Sequence, residues 1–246
     1  MTGNWTQVEI AGKCADVFEP RATHPPRFGV LHLHGVGLET LAGNAVFTRW
    51  LQELNLACVC PHGQRSWWTD RRCLEFDPHV TAERHVRDAV LPYFCERWGL
   101  LPRSVAIQGI SMGGQGALRL AFKRPDLFPV VGAISPALDY HEWYGRGTPL
   151  DDMYFSKEQC RQDTALLHVS PLKFPPHVFF CIDPADVEWY RGNDRLHEKL
   201  TALGIEHQID FSTSRGGHSW EYFNAMAERL ERFVGKGLEQ ESRRLL

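Results

Sequence analysis

Ser104-Val105-Ala106-Ile107-Gln108-Gly109-Ile110-Ser111-Met112-Gly113-Gly114-Gln115-Gly116-Ala117-Leu118-Arg119-Leu120-Ala121 begins as a short apolar run of strand type and ends as an alanine- and leucine-rich run of helical type. Between the two lies Gly109-Ile110-Ser111-Met112-Gly113, a G-x-S-x-G segment. In that context the pattern predicts a serine on a sharp strand-to-helix turn, its hydroxyl pushed out at the carboxyl edge of a sheet. Glycines two before and two after the serine are needed because side chains there would collide with the neighbouring strand and helix. The small residues Gly114, Gly116 and Ala117 predict a helix packed close to the sheet.

Outward from this turn, apolar strand-like runs alternate with helical ones. An edge hairpin is expected over residues 5–19, and strands over 28–34, 56–60, 130–135, 177–182 and 206–211. Helices are expected over 43–54, from Asp77-Pro78 to Trp98 with distortion at Pro92, over 195–203 and over 220–234. Residues 138–166 read as an irregular insertion near the active-site face, and the polar tail 238–246 as frayed. Strand-helix alternation at this spacing implies parallel βαβ units, hence an α/β protein with a mostly parallel central sheet covered by helices on both faces. A chain of 246 residues without linker or repeat fits one domain spanning 1–246.

Composition excludes several classes. A net charge of −3 without a basic run argues against nucleic acid. No apolar run is long enough to span a bilayer, and Met1-Thr2-Gly3-Asn4-Trp5 does not resemble a signal peptide, so no membrane partner and a cytoplasmic location are expected. Seven cysteines without a C-x-x-C pair, with Cys58, Cys60 and Cys181 in apolar strands, are expected to be buried thiols.

A serine hydroxyl is a weak nucleophile at neutral pH and needs a base, which in turn needs an acid to orient it. The order Ser, acid, His directs attention downstream. His218 lies in Ser214-Arg215-Gly216-Gly217-His218-Ser219-Trp220, a glycine-rich loop between the last strand and the last helix, and is the expected base. Phe179-Phe180-Cys181-Ile182-Asp183-Pro184-Ala185-Asp186 offers two acids. Asp186, beyond the strand end, is favoured over Asp183, which abuts the strand and suits a turn. The Met112 amide at a helix amino terminus and the Val36 amide in the turn Gly35-Val36-Gly37 are the expected oxyanion donors. Trp67, Trp68, Trp189 and Trp220, with Tyr190, either wall a substrate pocket or simply pack.

These residues, together with Phe122-Lys123-Arg124-Pro125-Asp126-Leu127-Phe128, Ala133-Ile134-Ser135-Pro136 and Gly217-His218-Ser219-Trp220, resemble the esterase D family of α/β hydrolases, which includes S-formylglutathione hydrolases, feruloyl esterases and mycolyl transferases. Ile110 stands where S-formylglutathione hydrolases usually carry histidine. The resemblance implies the α/β-hydrolase fold and cleavage of a carboxylic ester or thioester through a Ser111, Asp186, His218 triad and an acyl-enzyme. The implied partner is a small-molecule ester, with no cofactor; self-association stays open. Three other readings use the same residues: acyl transfer or peptide cleavage by the triad, a binding protein that has lost catalysis, and a metal site at His32 and His34, which lie two apart on a strand but lack a third ligand.

Overall fold

The computed structural model describes residues 3–244. The chain opens with the hairpin β1 (Asn4–Ile10) and β2 (Lys13–Glu19), followed by β3 (Phe28–Leu33), α1 (Ala45–Glu53) and β4 (Leu56–Pro61). Next come α2 (Ala82–His85), a π-helical turn (Val86–Val90), α3 (Leu91–Trp98), β5 (Val105–Ile110), α4 (Met112–Lys123) and β6 (Val130–Ile134). The second half contains α5 (Leu150–Met153), α6 (Lys157–Gln162), β7 (His177–Cys181), α7 (Tyr190–Ala202), β8 (Gln208–Asp210) and α8 (Trp220–Arg243).

The eight strands form one sheet in the order β1-β2-β4-β3-β5-β6-β7-β8. The hairpin pairs antiparallel within itself and with β4, while β4, β3, β5, β6, β7 and β8 are mutually parallel. The central strands are fully buried, as a sheet covered on both faces requires. On one face Phe47, Trp50 and Leu51 of α1 pack with Met226, Ala227 and Leu230 of α8. On the other, Phe94 of α3, Leu118 of α4 and Leu196 of α7 pack against Leu31, Ile107 and Val131. No helix among the described residues is long and apolar enough to cross a membrane. Cys58, Cys60 and Cys181 are buried free thiols.

Several boundaries depart from the sequence reading. Asp77 does not cap a helix; its carboxylate accepts from the His79 and Val80 amides in a tight turn, and the helix starts four residues later under a Thr81 cap. The expected distortion occurs one turn before Pro92, as the π turn Val86–Val90, where a proline lacking its amide proton disturbs the regular ladder. Helix α7 begins at Tyr190 rather than 195, which makes Trp189 its cap residue.

The tail expected to fray is helical through Arg243, because Glu241 is buried at the end of α8 and receives Arg103 at 3.0 Å and His177 at 3.1 Å. Residues 245 and 246 lie outside the described part. The insertion contains more helix than expected, α5 and α6 included. It is tied down by Arg119 of α4, whose buried guanidinium bonds Asp163 at 2.5 Å and also Glu83.

Candidate active site

Ser111 sits between β5 and α4 with φ 55° and ψ −118°, a conformation an L-residue adopts only when its surroundings enforce it. The flanking glycines supply the space. A Cβ on Gly109 would lie 2.3 Å from the Gly113 carbonyl, and one on Gly113 would lie 1.9 Å from the Leu33 carbonyl oxygen. The Ser111 amide donates to Ile134 O at 3.0 Å, fastening the turn to β6.

Two loops at the carboxyl ends of β7 and β8 meet over this turn. His218 Nε2 lies 2.8 Å from Ser111 Oγ, and His218 Nδ1 lies 2.6 Å from Asp186 Oδ2. Asp186 is buried, whereas the His218 side chain keeps 30% of its surface exposed and lines the cavity together with Ser111. Asp183 stands apart from this line of bonds. It is fully buried and accepts from the Ala185 amide at 2.8 Å, the Ser214 hydroxyl at 2.8 Å, the Arg215 amide at 2.5 Å and the Gly217 amide at 2.9 Å. Burial alone would raise its pKa, but these hydrogen bonds outweigh it and hold the carboxyl below its usual range. Asp183 therefore folds the loop that carries His218.

The turn after β3 passes close to the serine: a Cβ on Gly35 would sit 3.4 Å from Ser111 Cβ. Val36 follows in this turn, and Met112 is the first residue of α4, where amides have no intrahelical acceptor. His34 sets the turn's direction through both ring nitrogens, Nδ1 at 2.7 Å from Gly35 O and Nε2 accepting from the Gly63 amide at 2.9 Å. Its pKa is pushed down to about 4, chiefly by burial, so the ring is neutral and both nitrogens are engaged. His32 is buried beside Phe47, and burial together with the neighbouring His34 lowers its pKa to about 3. Neither ring faces the serine cavity.

The four tryptophans separate into different roles. Trp220 lines a cavity of about 220 Å³ together with Ser111, His218, Val36, Glu39 and Phe223. Trp67 and Trp143 wall a neighbouring recess of about 180 Å³ that shares Val36 with it. Trp67 is held at φ 55° by the Gln115 amide, which donates to its carbonyl at 2.6 Å, and is stacked on Tyr140. Trp68 departs from the expectation of a pocket wall. It is fully buried, fills the space left by Gly63 and Gly116, and donates from its indole to His34 O at 3.1 Å. Trp189 lines a separate polar cavity of about 470 Å³ behind His218. Trp143, Gln115 and Glu39 escaped the sequence reading: Trp143 lies in the irregular insertion, and the other two carry no motif.

This sheet order, with a strained serine at the carboxyl end of β5, defines an α/β hydrolase. The sequence model of the Esterase family matches residues 59–231, and the chain belongs to that family. None of the curated proteins matches the sequence. Among solved structures the fold is similar to an S-formylglutathione hydrolase from Agrobacterium tumefaciens, with 20% identity, a TM-score of 0.76 and coverage of 96% of this chain and 94% of that one. It is also similar to the substrate-bound fluorophosphonate-binding serine hydrolase F of Staphylococcus aureus, with 16% identity, a TM-score of 0.75 and coverage of 96% and 99%. A ferulic acid esterase matches with 16% identity, a TM-score of 0.75 and coverage of 96% and 100%.

Proposed function

We propose that the protein is a serine hydrolase of carboxylic esters or thioesters. The observation that carries this reading is the unbroken line from Ser111 Oγ through His218 to Asp186, 2.8 Å and 2.6 Å long, at the mouth of a cavity. With Nδ1 protonated toward Asp186, Nε2 of His218 is free to accept the serine proton. As that proton moves, Ser111 Oγ bonds to the ester carbonyl carbon and the carbonyl π pair moves onto oxygen. The amides of Val36 and Met112 receive the resulting charge, aided by the amino end of α4. When the tetrahedral centre collapses, His218 gives its proton to the departing alcohol or thiol, leaving an acyl-serine and neutral product. Water, deprotonated by the same imidazole, then repeats the sequence and releases the acid.

Membership of the Esterase family supports ester cleavage over loss of catalysis or peptide cleavage. The test is fluorophosphonate labelling with mass-spectrometric mapping, alongside hydrolysis of acetyl and butyryl esters and thioesters. The expected adduct sits on Ser111 and is absent from Ser111→Ala, whose turnover falls by about 10³-fold or more. A folded wild type that neither labels nor hydrolyses any member of the series contradicts the proposal. A location in the cytoplasm stays part of the same proposal, tested by fractionation of the native host.

A further inference from the structure

Glu39 is an exposed carboxylate with no hydrogen-bond or ion-pair partner among the described residues, and it lines the serine cavity. Its position is close to the reacting centre: a Cβ on Gly37 would lie 2.5 Å from Glu39 Oε2, so the carboxylate covers the turn that offers the Val36 amide. The same cavity is lined by Trp220 and Phe223, with ring centroids 5.5 Å apart at 75°, and Phe223 also meets His218 edge to face. Among the described residues, His218 is the one other titratable side chain that lines this cavity. Arg65, at the neighbouring recess, is already paired with Glu75.

A free carboxylate beside a site where negative charge develops raises the barrier for a neutral ester, unless the substrate brings a compensating positive charge. A cavity lined by one carboxylate and two aromatic rings suits a quaternary or primary ammonium, through direct attraction and through the ring quadrupoles. The side of the substrate follows from the chemistry of His218. The imidazole must deliver its proton to the leaving atom, so the leaving half occupies the cavity that His218 lines. The recess of Trp67 and Trp143, which His218 does not reach, is left for the acyl half.

Resting on the hydrolase reading, we propose that the preferred substrates are esters whose alcohol or thiol half carries an ammonium group, held by Glu39, Trp220 and Phe223. The experiment compares butyrylcholine with 3,3-dimethylbutyl butyrate, its uncharged isostere, at low ionic strength. Wild type favours the cation by about five- to tenfold in kcat/KM, and the preference shrinks with added salt because Glu39 is exposed. In Glu39→Gln the ratio falls toward one, and in Glu39→Lys it inverts. Calorimetric titration with choline, which needs no turnover, gives saturable binding that Glu39→Gln weakens.

A ratio of one in wild type, or a ratio that Glu39→Gln leaves unchanged, overturns the ammonium site while Ser111-dependent cleavage of the neutral ester keeps the hydrolase reading intact. If neither ester is cleaved and Ser111 does not label, the hydrolase reading fails. Choline titration then decides the site alone: binding that depends on Glu39 supports it, and no binding overturns it.

Discussion

The proposed mechanism gives two aspartates three residues apart different roles, and amide substitution separates them. Asp183→Asn keeps one acceptor oxygen and turns the other into an NH₂ facing hydrogen-bond donors. On the Oδ2 side those donors are the Arg215 and Gly217 amides, at 2.5 and 2.9 Å. Two bonds to a charged group are lost at about 1.5–3 kcal/mol each, or about 3–6 kcal/mol in total. Against a usual stability of about 5–15 kcal/mol, this lowers the melting temperature by on the order of 10 °C for a chain of this size. Asp186→Asn should barely move the melting point, since apart from His218 its side chain accepts only the Trp189 amide at 3.4 Å. Its cost falls on the rate, about 10⁴-fold in kcat, because the amide favours the wrong imidazole tautomer.

Calorimetry and ester turnover on both variants give the test. A Asp183→Asn protein that melts like wild type but is dead, paired with an active Asp186→Asn, would falsify the division of roles and make Asp183 the triad acid. The pH dependence has a definite sign. The Asp183 carboxyl has a lowered pKa in the folded state, so its stabilisation is present above the unfolded value of about 3.9 and is lost as pH falls through the folded value. The stability gap between wild type and Asp183→Asn therefore narrows only below about pH 4.

Two further predictions concern the recess and the core. Removing the Trp143 indole opens the recess of about 180 Å³. Trp143→Ala is expected to raise kcat/KM for octanoyl over acetyl esters by about tenfold, and an unchanged chain-length profile argues that the acyl group binds elsewhere. Glu231 on α8 is fully buried, its side chain accepting among the described residues from Gln108 alone, at 2.6 Å, and burial pushes its pKa up to about 7 despite that bond. A pKa raised on folding means stability is greatest below the unfolded value near 4.3 and declines until pH passes about 7. Glu231→Gln should therefore stabilise the protein at pH 8 by about 3 kcal/mol and do little at pH 4, as read from urea midpoints at the two pH values.

The elbow was legible because its constraint is local. Gly109 and Gly113 are demanded by contacts at 2.3 and 1.9 Å, and a sequence pattern can express that demand directly. The strands were legible for a similar reason, since burial on both faces leaves continuous apolar runs such as Leu56-Ala57-Cys58-Val59-Cys60. The start of α2 was not, because Asp77 followed by Pro78 suits both a helix cap and the tight turn it makes, and Lys13 at 2.6 Å helps to fix the turn. The helical end of α8, where the sequence predicts fraying, was not legible because Glu241 gains its partners, Arg103 and His177, from distant segments. Trp68 shows the limit of inferring a pocket from aromatic residues in a loop: its burial is set by glycines at 63 and 116, far apart in the chain.

The buried clasp between Arg119 and Asp163 joins α4, the helix that follows Ser111, to the insertion that supplies Trp143. Tyr154 adds a bond to the same carboxylate at 2.7 Å, and His168 another at 3.1 Å. Ser111 and the Trp143 wall of the neighbouring recess are thereby mounted on one frame, and the recess takes its shape as the chain folds. If the recess takes the acyl group as proposed, such a frame selects by excluding what is too large. Phe155, next to Tyr154, is exposed outside that frame, so its side chain can be exchanged with little effect on the position of Ser111.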